Sequence, residues 1–441
     1  MPAPLLRMET PDTLPASADC VVIGAGIVGV SAAYWLARAG RRVVLLEKGL
    51  IGAEQSSRNW GWCRQQNRDA RELPLSTKSL ALWEEMTADI GEDMGFSRCG
   101  LLYLSDDEQE IDTWAAWGKF ARGEGIVTDM LSAAEATERG AATGKPWKGG
   151  VWSPTDGTAD PSRAAPTIAK GVLKHGGMVI QNCAARGIER QAGAVCGVIT
   201  ERGVIRTRQV VLSGGAWSAS FLYQMGIGFP QASVRGSILS VAPGARGLPA
   251  ALHTSAASVT RRADGGYTLA ISRFAQLDPT PGAIYGAKHF VPMFAKRWRL
   301  LSLGGLQAWQ AGFETRKRWA MDRPTPMEAM RILDPRPSRK ALDLTLQRAR
   351  NLLPGLREVP VQAEWASYVD STPDGVPVID GNIGLQGLFL AAGFSGHGFG
   401  IGPGAGHLVA DLMLGREPIT DVSQYRLSRF GQAQWGKVSE F

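Results

Sequence analysis

Cysteine and histidine are scarce in this chain, with five of each among 441 residues. The cysteines (Cys20, Cys63, Cys99, Cys183, Cys196) are odd in number, far apart and never in a CxxC pair. That excludes a disulfide scaffold and favours free thiols in a reducing compartment. His253, His289 and His407 have no ligand-type neighbours at metal spacing, so no metal site is expected. The start of the sequence lacks a basic stretch leading into an apolar one, so no signal peptide is expected and the address is read as cytoplasmic. Repeats and low-complexity tracts are also missing. Charged residues at 20% and hydrophobic ones at 44% exclude disorder, and the length allows two or three domains. One uncharged run, residues 20–37, reaches membrane-spanning length, but the glycines inside it read better as a turn between a strand and a helix.

Net charge is +7, and its position says more than its size. Residues 283–323 hold eight Lys and Arg against two acids, nearly the whole excess. A chain otherwise near neutrality is not a general nucleic-acid binder. This basic, aromatic stretch instead suits an anionic membrane surface or a partner subunit, with a plain pair of cap helices as the simpler reading.

Glycine, by contrast, is abundant, and it is clustered. Gly24-Ala25-Gly26-Ile27-Val28-Gly29 follows an apolar strand and opens a helix. In such a turn the first glycine makes the bend and the second admits a pyrophosphate to the backbone. The third lets the helix pack closely, and the helix start offers N–H groups to phosphate. Glu47 ends the next strand eighteen residues on, where a carboxylate can accept from both ribose hydroxyls. An acid there favours FAD or NAD over NADP.

Three further segments point to the same ligand. Ser56-Ser57-Arg58-Asn59-Trp60-Gly61-Trp62 lies in the loop leaving the same sheet edge, where hydroxyls and an arginine suit a phosphate and tryptophans suit an aromatic ring. A surface loop with a buried tryptophan is the alternative. Gly214-Gly215-Ala216-Trp217 ends a strand in paired glycines, explained by close ligand approach or by a tight turn. GFSGHGFGIGPGAGH, residues 393–407, has seven glycines in fifteen residues after the strand LFLAAG. The helix that follows is read as starting near Pro403, with the glycine loop lying flat against a flavin ring and the positive helix end facing it.

The α/β signals are discontinuous. Residues 1–80, 150–222 and 360–441 are expected to form one dinucleotide-binding layer. Residues 81–149 and 223–359 are expected to form a cap of antiparallel strands that includes the basic aromatic segment at 283–330.

GAGIVG…LLEKG, SSRNWG, SGGAWS and TPDGVPVIDG…GFSGHGFG together resemble the FAD-dependent D-amino-acid oxidase family, which includes glycine oxidase, sarcosine oxidase and D-amino-acid dehydrogenases. The resemblance implies an α/β fold: a glutathione-reductase-type, Rossmann-like FAD domain with an interleaved, antiparallel β-rich substrate domain. It also implies oxidation of a C–N bond to an imine by hydride transfer to flavin N5, with no obligatory acid–base residue. By position, Gly24, Gly26, Ile27, Val28, Gly29, Glu47, Lys48 and Ala185 would hold the ADP half. Ser56, Ser57, Arg58, Asn59, Trp60, Gly61, Gly214, Gly215 and Trp217 would border the pyrophosphate and flavin. Gly393, Gly396, His397, Gly398 and Ile401 would follow the pyrimidine side. Arg64 and His397 are the catalytic candidates, Arg64 near the arginine that binds a substrate carboxylate in sarcosine oxidase.

Two departures matter. Gly400 stands where monomeric sarcosine oxidase has a carboxylate-binding lysine, and Ser367 stands where it has its flavin-bearing cysteine. Non-covalent FAD and a substrate other than simple sarcosine are therefore expected. Asp370 and Asp374 could select a cationic substrate or make a turn, and Arg261, Arg262 and Arg273 are candidate carboxylate anchors. The alternatives carried forward are a quinone- or partner-linked dehydrogenase subunit and a flavin-binding scaffold with little turnover.

Overall fold

The computed structural model describes residues 3–245, 247–271, 274–298, 301–310 and 312–431. Arg273, and Arg299 of the basic stretch, lie outside the described residues. Strand β1 (Cys20–Ile23), helix α1 (Ile27–Arg38) and strand β2 (Val43–Leu46) form the expected βαβ unit. Both strands are apolar and buried at every position, as suits a parallel strand covered on two faces. Across the sheet the order is Val378–Asp380, Leu388–Ala392, Val210–Leu212, β1, β2 and Met178–Ile180, parallel except for the first strand. The uncharged run at 20–37 is thus a strand, a turn and a buried helix. Among the described residues no helix is long and apolar enough to cross a membrane.

One face of this sheet is covered by α1, by α2 (Leu73–Ile90), by the helix Ala164–Lys174 and by a glycine-rich helix, Gly398–Leu414. That last helix begins four residues earlier than Gly402, so Pro403 lies inside it, beyond the first turn. The shift changes what most of the seven glycines do. A Cβ on Gly402 would stand 2.8 Å from Ile27, and one on Gly406 2.5 Å from the Ala32 nitrogen, so these two seat α1. A Cβ on Gly404 would stand 3.0 Å from the Leu75 carbonyl of α2. Gly400 meets the short strand β3 (Trp62–Cys63), at 2.8 Å from the Trp62 carbonyl. Only Gly393 (φ +77°) and Gly396 (φ +86°) need the left-handed conformation. Helix packing, not a flat ring, accounts for the run from Gly400 to Gly406.

The second layer is a mostly antiparallel ten-stranded sheet whose longest pair is Ala232–Val241 with Val361–Ser371. Strand 361–371 therefore belongs to the cap sheet, and the chain returns to the first layer after 371, not at 360. Gly149–Ser153 also pairs within the cap sheet, while α2 continues the first layer to residue 90. Between Ala275–Leu277 and Phe313 the described residues make an excursion of short helices and the strand Leu301–Leu303. Its base is tied down by Gly282 N–H donating to the Glu314 carbonyl (3.0 Å) and by Thr280 Oγ donating to the buried Glu314 carboxylate.

Candidate functional site

A cleft opens at the carboxyl ends of β1, β2 and Val210–Leu212, where sheets of this kind bind ligands. Gly24 turns there with φ +98°, and a Cβ on it would stand 2.4 Å from the Ser213 carbonyl. A Cβ on Gly29 would stand 1.9 Å from the Gly24 carbonyl, so both glycines fix the turn against the protein's own backbone. Gly26 caps α1 without a side chain, and Ser56 Oγ accepts from the Ile27 N–H at 2.8 Å. The side chains of Ile27 and Val28 are buried, so they serve the site through their main chain.

Glu47 accepts from the Ala25 N–H (2.9 Å) and the Gly49 N–H (2.8 Å), one on each carboxylate oxygen. Burial pushes its pKa up, partly offset by Lys48 and by those two N–H groups. Its carboxylate lines the cleft with second lone pairs still available for hydroxyl donors. Ala185, Gly214, Gly215 and Trp217 line the same cleft. Trp217 is buried with its Nε1–H unpaired.

Several expected ligand residues are committed elsewhere. Lys48 Nζ lines the cleft but donates to Glu54 (2.6 Å) and to the carbonyls of Met330 (2.8 Å) and Arg331 (3.0 Å), tying a cap segment over it. Arg58 is buried and donates to the Ala53 carbonyl (2.9 Å), Asp334 (2.5 Å) and the Ala366 carbonyl (3.0 Å), so it bolts the loop to the cap instead of facing a phosphate. Ser57 and Asn59 bond within the loop, where Asn59 bridges the carbonyls of Gln55 and Ser56 and the Gly61 N–H. Gly61 (φ +82°) is needed because a Cβ would meet the Ala159 carbonyl at 2.5 Å. Trp60 packs edge-on against Trp62, whose Nε1–H donates to Thr260 Oγ at 2.7 Å; Trp62 is part of a cap core cluster and Trp60 packs against it, partly exposed. Gly398 packs against Phe394, and the Ile401 side chain sits in the core.

At the far end of the first layer, residues 64–72 and 397 come together. His397 Nδ1 lies 2.8 Å from Glu72 Oε2. Arg68 is 3% exposed, and its Nη1 has no hydrogen-bond partner. Burial lowers the Arg68 pKa to about 10, with Arg64 adding to the effect. Gln66 Oε1 and Glu72 Oε1 are also buried without partners, and the buried Tyr103 hydroxyl lies beside Arg64. Burial lifts the Tyr103 hydroxyl to about 12, while Arg64 and Arg68 pull the other way. The His397 pKa is lowered, first by burial and then by Arg68. Buried polar atoms left unpaired cost about 1–3 kcal/mol each, so a concentration of them marks a place built for a polar ligand.

Other candidates do not join this cluster. Asp374 is buried between Arg71 (3.1 Å) and Arg429 (2.9 Å), and Asp370 accepts from the Gly393 N–H (2.7 Å) and Gln231 (3.2 Å). Neither carboxylate is left to select a cationic substrate. Arg261 is exposed and Arg262 pairs with Asp264 at 3.4 Å, both next to a hairpin turn. His407 bonds to Asp411 at 3.0 Å inside its helix and packs on Trp35. Room for the absent lysine is also missing, because a side chain at Gly400 would run into the backbone of β3.

Residues 19–412 match the model of the FAD dependent oxidoreductase family, DAO. The chain belongs to that family. Among proteins of the DAO family it is 26% identical to glycine oxidase of Pseudomonas aeruginosa, over 92% of this chain and 97% of that one. It is 24% identical to sarcosine oxidase subunit beta of Rhizobium meliloti, over 93% of this chain and 88% of that one. Among solved structures it resembles L-amino acid deaminase from Proteus myxofaciens in complex with anthranilate, with TM-score 0.92, 28% identity and 97% of each chain covered. L-amino acid deaminase from Proteus vulgaris gives TM-score 0.90 and 27% identity, covering 96% of this chain and 100% of that one. FAD is the cofactor of this oxidoreductase, and the Gly24 turn, the Glu47 carboxylate and the unpaired indole N–H of Trp217 fit it.

Arg68, Glu72 and Tyr103 escaped the sequence reading. The string RQQNRDARE does show a density of arginine and acid just before α2, but nothing local says which of these side chains is buried and unpaired.

Proposed function

We propose that this chain oxidises the C–N bond of an α-amino acid or N-alkyl amino acid to an imine, which then hydrolyses. FAD, held without a covalent bond, supplies the two-electron acceptor; Ser367 offers no thiol for a thioether. The observation that carries the reading is the buried Arg68 guanidinium beside Arg64, whose Nε donates to the Arg64 carbonyl (3.4 Å) while Nη1 has no partner. A guanidinium held there in advance binds a carboxylate with charge-assisted hydrogen bonds and little reorganisation. The deep burial of Arg68 excludes water from the contact and strengthens it. Gln66 Oε1 and Tyr103 Oη supply an acceptor and a hydroxyl to the same neighbourhood. The test is anaerobic bleaching of the yellow protein by a panel of L-amino acids, D-amino acids and N-methyl amino acids. L-α-amino acids come first because the structures it resembles at TM-scores of 0.92 and 0.90 are L-amino acid deaminases. Bleaching by none of them would leave the scaffold reading in place.

A second reading concerns the electron acceptor and rests on the excursion. Ile284, Tyr285, Val291, Phe294, Trp298, Leu303, Leu306 and Trp309 are all exposed, at 48–85%. They are interleaved with Lys288, Lys296 and Arg297. Exposed apolar area on this scale marks an interaction surface, and with basic neighbours it suits an anionic membrane face or a partner subunit. Docking there would make the protein a peripheral cytoplasmic-face dehydrogenase that passes electrons to quinone or to a partner. Pelleting with anionic vesicles but not neutral ones, and slow peroxide formation in air, are the expected results.

A further inference from the structure

We infer that Glu72 and His397 form a dyad that takes the ammonium proton of the bound amino acid at His397 Nε2. The inference rests on the amino-acid reading above, and it gives a job to a buried carboxylate that the fold does not use. Glu72 is the N-cap residue of α2, where an acid would ordinarily bond the first turn of its own helix. Its side chain makes no such bond. It reaches instead to His397, 325 residues along the chain, at 2.8 Å. The carboxylate is 1% exposed while the imidazole is 27% exposed, so the pair is sealed at the glutamate and open at the histidine.

The contact sets the tautomer. A carboxylate only accepts, so Nδ1 carries the proton and donates it to Glu72 Oε2, leaving Nε2 with a free lone pair. The backbone fixes the ring. Ser395 (φ +53°) and Gly396 (φ +86°) are consecutive left-handed residues just before it. The His397 N–H donates to the Phe394 carbonyl at 2.8 Å. The groups that face the ring electrostatically are Arg68, Arg64 and Glu72, and His397 is itself the N-cap of the helix Gly398–Leu414. Burial, two guanidinium charges and the positive helix end all favour the neutral ring, and Glu72 alone opposes them. A neutral imidazole with a bare Nε2 can accept a proton at neutral pH; the same surroundings make it a weaker base than a free imidazole, so the transfer is completed only as hydride leaves.

The step balances simply. One N–H bond of the substrate ammonium breaks and the Nε2–H bond forms. The electron pair stays on the substrate nitrogen, where it assists departure of hydride from Cα. The new imidazolium is held by Glu72 and returns its proton to solvent once the product has left. The remaining unpaired atom, Glu72 Oε1, lies in the same electrostatic neighbourhood as Arg68. Arg68 Nη1 for the carboxylate and His397 Nε2 for the ammonium together match a zwitterion.

Two readouts test this on the holoenzyme. The first needs no substrate: nitrogen NMR of histidine-labelled protein, with the His397 signals assigned by their loss in His397→Asn. The expected result is a neutral ring protonated at Nδ1 at pH 7.5, and a mixture of Nδ1–H and Nε2–H tautomers in Glu72→Gln, whose amide can either accept or donate where the carboxylate only accepted. An Nε2–H tautomer or an imidazolium in the wild type at that pH overturns the proposal. The second is anaerobic flavin reduction by the amino acid that bleaches fastest, followed against pH. His397→Asn and Glu72→Gln should each slow it about 100-fold near neutrality. The loss should shrink to a few-fold once the pH exceeds the ammonium pKa and the amine arrives already neutral. A deficit of the same size at every pH means a merely structural role. If no amino acid bleaches the flavin at any pH, the functional reading fails, while the tautomer result stands or falls separately.

Discussion

The two ends of this site are built by different means. The dinucleotide end is chiefly main chain: the turn at Gly24, the start of α1 and the N–H groups that hold Glu47, joined by the Glu47 carboxylate and the Trp217 indole. The other end is side chain: Arg64, Arg68, Glu72, Tyr103 and His397, several with a polar atom left unpaired in the protein. Backbone gives a fixed shape for a ligand that never changes. Unpaired side chains give chemistry for a ligand that arrives and leaves, and their cost is recovered on binding.

The contrast can be broken most severely at its backbone end. Gly24→Ala puts a Cβ 2.4 Å from the Ser213 carbonyl at φ +98°, so a loss of about 4 kcal/mol or more is expected, with colourless protein on purification. Arg68→Met should leave the protein yellow yet raise KM for the amino acid about 100-fold, because a charge-assisted contact is lost while the ring site is untouched. Together these two variants separate cofactor retention from substrate recognition. Glu47→Gln sharpens the picture within the cradle. It keeps the shape and removes the charge, so FAD affinity should fall about tenfold by titration of the stripped protein.

The smallest effect lies at the base of the excursion. Burial raises the Glu314 pKa from 4.5 to about 7, with Asp370 contributing. A carboxyl raised on folding stabilises below its unfolded pKa, and that stability is lost as pH rises through the folded one. The thermal midpoint of the wild type should therefore drop between about pH 5 and 8, and Glu314→Gln should flatten that slope. An unchanged slope would show that a neighbour, not Glu314, carries the proton.

What the sequence disclosed follows the same division. GAGIVG and Glu47 were legible because a strand, a turn, a helix and an acid within thirty residues fix one another locally. The helix Leu73–Ile90 was legible for the same reason, through its apolar spacing. The glycine helix misled because Pro403 reads as a first-turn residue, whereas the helix starts at Gly398 and the glycines face α1, α2 and β3. Arg58 and Trp62 look like ligand residues in a loop of the right place, yet their partners Asp334, Ala366 and Thr260 lie 198–308 residues away. Arg68 and Glu72 became visible only when packing showed which charged side chains are buried and that Arg68 Nη1 and Glu72 Oε1 are left without partners. Local pattern reports the backbone cradle; only the folded chain reports the unpaired polar atoms.

The tie from Lys48 to the carbonyls of Met330 and Arg331 has its own consequence. Arg331 reaches back to the Lys48 carbonyl and to Glu201, so the strap is fastened from both sides. Residues 327–333 are thereby fastened across the rim of the cleft that fits FAD. Cofactor turnover in this protein should therefore keep time with the opening of residues 327–333, and loosening that strap should speed exchange without altering how the flavin is gripped.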